Sequence, residues 1–207
     1  MPRIKPIETR FAGRFFRSRL EARWAVFFES VGLPWQYEIV GFAVGRAWYL
    51  PDFFLPTAGA HIEIKPQHLA ARESDRVAAM QAAWENDGRN LWLIRGVPSR
   101  CAYEIRRNVT PDIGPAVFAD CRRCDGICIA GEVASGYIDA WGPIGEHACG
   151  DHDREPLPDG PRVTRGYRMA TEHKFDHYRH PDADDWETRR SNAHASANWR
   201  KQNEGNL

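Results

Sequence analysis

The sequence predicts an α/β fold, with helices and strands in the order αβββαβ around a mixed central sheet and a small cysteine-bearing unit after it. Three observations predict it. Residues 16–31 (FRSRLEARWAVFFESV) place Leu20, Trp24, Phe27, Phe28 and Val31 on one helical stripe. Three strand-like runs follow at 35–42, 47–54 and 60–65, rich in aromatic and β-branched residues and separated by Gly and Pro. A second helix over 73–87 then leads into the apolar run 90–96, and a strand–helix–strand crossover lets its two strands run parallel.

Each element has its local reason. Gly32 and Pro34 end the first helix. Gly45 and residues 56–59 mark the turns between strands. The second helix opens on acidic residues and stops before Gly88. Residues 98–117, with Cys101, Arg106 and Arg107, show no clear period. Residues 118–155 hold two strand-like runs, ICIAGEV and GYIDAW, among cysteines. Pro, Gly and Asp make 153–162 a linker, and 163–179 carry a weak helical stripe through Tyr167, Phe175 and Tyr178. From His180 onward the chain is polar and charged, which predicts disorder. The expected division is a basic arm at 1–15, a core at 16–117, the cysteine unit at 118–155, a linker with a short helix at 156–180, and a tail at 181–207.

The 207 residues carry a net charge of zero, which argues against coating nucleic acid by bulk attraction. Local charge differs. Arg3, Lys5, Arg10, Arg14, Arg17, Arg19 and Arg23 face only Glu8 and Glu21 in the first 23 residues, an arm that suits either phosphates or plain solvent. No apolar run of about 18 residues predicts a membrane span. The N-terminus lacks the apolar stretch of a signal peptide, so a cytoplasmic protein is expected. Its five cysteines then read as thiols or metal ligands.

The string YLPDFFLPTAGAHIEIKP at 49–66 carries the chemistry. Side chains alternate along a strand, so Glu63 and Lys65 share one face while Ile62 and Ile64 face the core. A short hairpin brings Asp52 beside them. Two carboxylates and an ammonium in one buried spot are costly unless a metal joins them. That grouping suits Mg²⁺-assisted phosphodiester cleavage. His61 shares the face of Glu63. Glu21 on the first helix is the candidate for a further acid; Ser18-x-x-Glu21 also fits a helix capping box, which would make Glu21 purely structural and exclude the site role.

A helical Glu21, then Pro51-Asp52, then Glu63-Ile64-Lys65 on an αβββαβ core resembles the PD-(D/E)XK, or restriction-endonuclease-like, nuclease superfamily. The likeness covers residues 14–96 and is similar to small bacterial and phage members. One departure stands out: some exonuclease branches carry Gln-x-x-x-Tyr on the second helix, whereas Gln81 is followed by Glu85. The resemblance implies that Asp52, Glu63 and the Ile64 carbonyl bind Mg²⁺ or Mn²⁺. It implies that Lys65 orients or deprotonates the attacking water, and that Glu21 holds a second metal or a metal-bound water. The expected activity is a Mg²⁺-dependent endodeoxyribonuclease acting on DNA.

Cys121-x-x-Cys124 and Cys149-x-x-His152 have the spacing of two knuckles of a zinc ribbon, with His147 and Cys128 as competitors for the fourth place. A unit this small buries little core, so structural Zn²⁺ is its natural staple. The ribbon suits DNA or a protein partner equally. Three other functions stay open: a structure-selective resolvase or RNA nuclease on the same site, a non-catalytic nucleic-acid-binding module, and a zinc-stabilised adaptor. A homodimer is required only for a concerted double-strand cut.

Overall fold

The computed structural model describes residues 6–44, 47–99, 103–106, 116–122, 126–132, 138–143 and 156–175. In chain order the elements are β1 (Thr9–Phe11), β2 (Arg14–Phe16), α1 (Arg19–Ser30), β3 (Gln36–Tyr37), β4 (Phe42–Val44), β5 (Ala47–Tyr49) and β6 (Phe53–Leu55). A single 3₁₀ turn at Pro56–Ala58 precedes β7 (Ala60–Lys65). Then come α2 (Ala71–Asn86), β8 (Asn90–Arg95), β9 (Glu104–Arg106), β10 (Ala116–Asp120), β11 (Ile127–Glu132), β12 (Ile138–Pro143) and α3 (Pro161–Glu172). The fold is mixed α/β. Its main sheet runs β12-β11-β10-β9-β8-β7-β6-β3, with β7 and β8 parallel and the remaining neighbours antiparallel.

The alternation in β7 divides two apolar layers. Ile62 and Ile64 join Trp24, Phe27, Phe28 and Val31 of α1, with Trp92 and Ile94 of β8, in the larger core. Leu91, one step out of phase in β8, joins Tyr49, Met80 and Trp84 in a smaller cluster under α2. His61 belongs to this second layer, its ring against Phe42, Phe54 and Trp84. It is therefore a packing histidine.

Helix α3 closes the larger core over α1. Phe27 and Tyr167 stack at 5.0 Å. A Cβ on Gly166 would lie 2.5 Å from Val31, so only glycine allows the two helices this close. Pro161 stands in the first turn of α3, where its missing N–H costs nothing. The first free N–H groups of the helix are satisfied from the sheet: Asp120 accepts from Arg162 at 2.7 Å and Val163 at 2.9 Å.

Four expectations change. The run 35–42 divides into β3 and β4 around Glu38, whose φ of 47° is left-handed and cannot continue a strand. The run 47–54 divides into β5 and β6 because Pro51 has no N–H for a ladder. The basic arm contains the β1–β2 hairpin. The boundary expected at 117/118 falls inside β10, and β11 and β12 extend the main sheet from it. The expected tail at 181–207 lies outside the described residues. Among the described residues no helix is long and apolar enough to cross a membrane.

Candidate active site

The site forms where β6 and β7 part. Phe53 pairs with Ile62, so Asp52 falls just beyond the ladder, opposite Glu63. With Pro51 interrupting the strand, the Asp52 side chain takes over a backbone partner: Oδ2 accepts from the Ile64 N–H at 2.7 Å. Ile64 thus meets the site through its N–H. Asp52, Glu63 and Glu21 are each more than nine-tenths buried.

Each carboxylate has a fixed set of donors. Arg17 donates to Asp52 Oδ1 at 2.7 Å and forms an ion pair with Glu38 at 2.5 Å, bridging two acids. Glu63 pairs with Lys65 and accepts from the Tyr49 hydroxyl at 2.6 Å. Glu21 accepts from the hydroxyls of Ser18 and Tyr37, both at 2.6 Å. Ser18 caps α1 by accepting from the Glu21 N–H. Half of the capping box therefore forms, and it leaves the Glu21 carboxylate turned toward Tyr37. The Ser18 cap and the Tyr37 contact, expected to exclude each other as cap and site role, thus occur together at Glu21.

The charges do not balance. Among the described residues, four carboxylates, Glu21, Glu38, Asp52 and Glu63, gather around two cations, Arg17 and Lys65. Burial pushes Glu63 up to about 7; the Asp52 charge adds to the rise and Lys65 opposes it. Burial likewise pushes Glu21 up to about 7, with Asp52 adding and Arg17 opposing. Burial also raises Glu38, against the pull of Arg17. For Lys65 burial acts downward, but Glu63 and Asp52 outweigh it and hold the ammonium above its ordinary value. Lys65 is thus a fixed cation, suited to steadying negative charge more than to taking a proton.

Among the described residues no three His, Cys, Asp or Glu groups form a ready-made metal cage. The donor set nevertheless fits a hard divalent cation: buried carboxylate oxygens with an excess of negative charge. Of the expected zinc ligands only Cys121 is described; it is half-buried beyond β10, and the competitor Cys128 is buried in β11. Cys124, Cys149, His152 and His147 lie outside the described residues.

Sequence reasoning missed Glu38, Tyr37 and Tyr49, and gave Arg17 no role at the site. Glu38 reads along the chain as a solvent charge in a strand. Its left-handed backbone, with its N–H on the Asp52 carbonyl at 3.0 Å, turns it inward instead.

The raised carboxyls predict a pH effect. A Glu with a pKa of about 7 when folded and about 4.5 when unfolded binds extra protons in the native state. Its contribution to stability is therefore complete below about pH 4.5 and lost as pH rises through about 7. His61, pushed down to about 4 by burial and by Arg89, works in the opposite direction below about 6.5. Comparing the parent with Glu63→Gln in EDTA removes that background. Urea midpoints should shift in favour of Gln between pH 5 and 8; a constant difference contradicts the raised Glu63. The chain matches no protein-family model, no curated protein and no solved structure.

Proposed function

We propose that the protein is a metal-dependent nuclease hydrolysing phosphodiester bonds in DNA, with a core of the restriction-endonuclease-like type. The observation that carries this reading is the surplus of buried carboxylate around Asp52 and Glu63, with the Lys65 ammonium alongside. Asp52 and Glu63 would hold Mg²⁺ or Mn²⁺, which when bound supplies Lewis-acid charge and lowers the pKa of a water. Tyr49 fixes the rotamer of Glu63. Lys65 steadies the charge that builds on the phosphate oxygens and positions the incoming water. Glu21, held by Ser18 and Tyr37, would hold a second metal or accept from a metal-bound water. Cysteine spacing alone supports a structural Zn²⁺ on Cys121, Cys124, Cys149 and His152.

Supercoiled plasmid tests the proposal. The purified chain should nick it in Mg²⁺ or Mn²⁺ and stop in EDTA. No nicking in either metal, on duplex, single-stranded, branched or RNA substrates, removes the enzyme reading. It would favour a second one, a nucleic-acid-binding module in which Arg17 permanently neutralises Asp52, as their 2.7 Å pair allows.

A further inference from the structure

Residues 9–17 (TRFAGRFFR) hold three arginines and no acid. They fold as the β1–β2 hairpin, with Thr9 opposite Phe16, Arg10 opposite Phe15 and Phe11 opposite Arg14. Ala12 and Gly13 both have positive φ, 48° and 73°, as a tight two-residue hairpin turn requires. A Cβ on Gly13 would meet nothing within 4 Å, so the tip faces open space. One side of the hairpin is anchored: Thr9 and Phe16 are each 1% exposed, and Phe11 meets the ring of His173.

Arg14, paired with Phe11, emerges near the tip on the anchored face, and Arg10 lies on the opposite face. Arg10 lies over Phe15 at 5.5 Å and Arg14 over Trp35 at 5.6 Å. Both are exposed, and among the described residues neither forms an ion pair with an acid. An aromatic support orients a guanidinium without cancelling its charge or occupying its hydrogen-bond fork. Two such groups, held in place and unneutralised, have the chemistry of a phosphate clamp. The chain then runs directly from Phe16 to Arg17, whose guanidinium sits on Asp52.

We infer that the β1–β2 hairpin is the DNA-docking element of the protein, Arg10 and Arg14 gripping backbone phosphates so that the strand is led along Arg17 to Asp52. This rests on the nuclease reading for the identity of the ligand, but its test does not need catalysis. Fluorescence anisotropy with a labelled duplex in EDTA reads binding alone. The double variant Arg10→Ala/Arg14→Ala should bind about tenfold or more weakly at low salt. Losing two phosphate contacts should also flatten the slope of log affinity against log salt by about 1.8. Arg10→Lys/Arg14→Lys, which keeps the charge, should keep most of that slope. Both variants should hydrolyse the small diester bis(p-nitrophenyl) phosphate with Mn²⁺ at the parent rate, because neither residue belongs to the Asp52 site.

An unchanged affinity and salt slope in the alanine variant overturns the inference, even where the parent cleaves plasmid and small diester. Hairpin-dependent binding with no hydrolysis of any substrate upholds the inference and rejects the nuclease instead. A parent chain that fails to bind duplex at any salt concentration rejects the docking element outright.

Discussion

Asp52→Asn should lower metal-dependent nicking by about 10²-fold or more, the scale at which a preorganised charge contributes to a transition state. Asparagine keeps the shape of the side chain and an oxygen for the Ile64 N–H, so the local backbone should hold. What disappears is the negative charge opposite Glu63. Mn²⁺ affinity should fall with it, measurable by calorimetry without substrate. Glu21 and Glu63 should also titrate lower, since the Asp52 charge helps raise both. Lys65→Gln should lose about 10²- to 10³-fold, the range for removing one preorganised group that stabilises transition-state charge. The two variants differ in one respect: the lysine variant should still bind Mn²⁺. An Asp52→Asn protein that nicks like the parent would remove Asp52 as a ligand.

Trp24→Ala should cost about 3–5 kcal/mol of stability, the usual range for removing a buried aromatic ring. Trp24 is fully buried and packs against Phe27, Phe28, Tyr103 and Phe118. Its indole N–H also donates to the Gly96 carbonyl at 3.0 Å. The Gly96 N–H in turn donates to the Lys65 carbonyl at 2.9 Å. The ring thus fills the core and ties α1 to the end of the strand that carries Lys65. Against a typical native stability of about 5–15 kcal/mol, this is a severe loss. Urea unfolding should show it as a lowered midpoint. Trp24→Phe should cost less, since most of the ring volume stays, but it still leaves the Gly96 carbonyl without its partner. A loss below about 1 kcal/mol for the alanine variant contradicts this account of the core.

Long elements with strong periodicity could be read from the chain. The stripe Trp24, Phe27, Phe28 and Val31 predicts α1, and those four side chains are buried. Alternation in HIEIK predicts that Ile62 and Ile64 face one way and Glu63 the other, as they do. The parallel pair β7 and β8 follows from the helix between them. The hairpin in residues 9–16 escaped because its strands are three residues long and its Ala-Gly turn is not a strong hairpin signal. The continuation of the sheet through β10, β11 and β12 escaped because cysteine spacing suggested a separate unit. The meeting of Asp52 with Glu63 and Lys65 was legible from local sequence. Arg17 and Glu38 were not, because their roles depend on a left-handed residue and on chain segments meeting in space.

The seating of α3 on α1 bears on how the protein is made. Arg23 of α1 donates to the Ala170 carbonyl of α3, 147 residues away along the chain. Phe27 and Val31 likewise find Tyr167 and Gly166 only in α3, far along the chain. During synthesis the first helix therefore leaves the ribosome with part of its apolar face uncovered, and keeps it so until α3 emerges. Long-range closure of this kind slows folding and prolongs the exposure of sticky surface. That surface stays open until residues Pro161–Glu172 have been made and can dock.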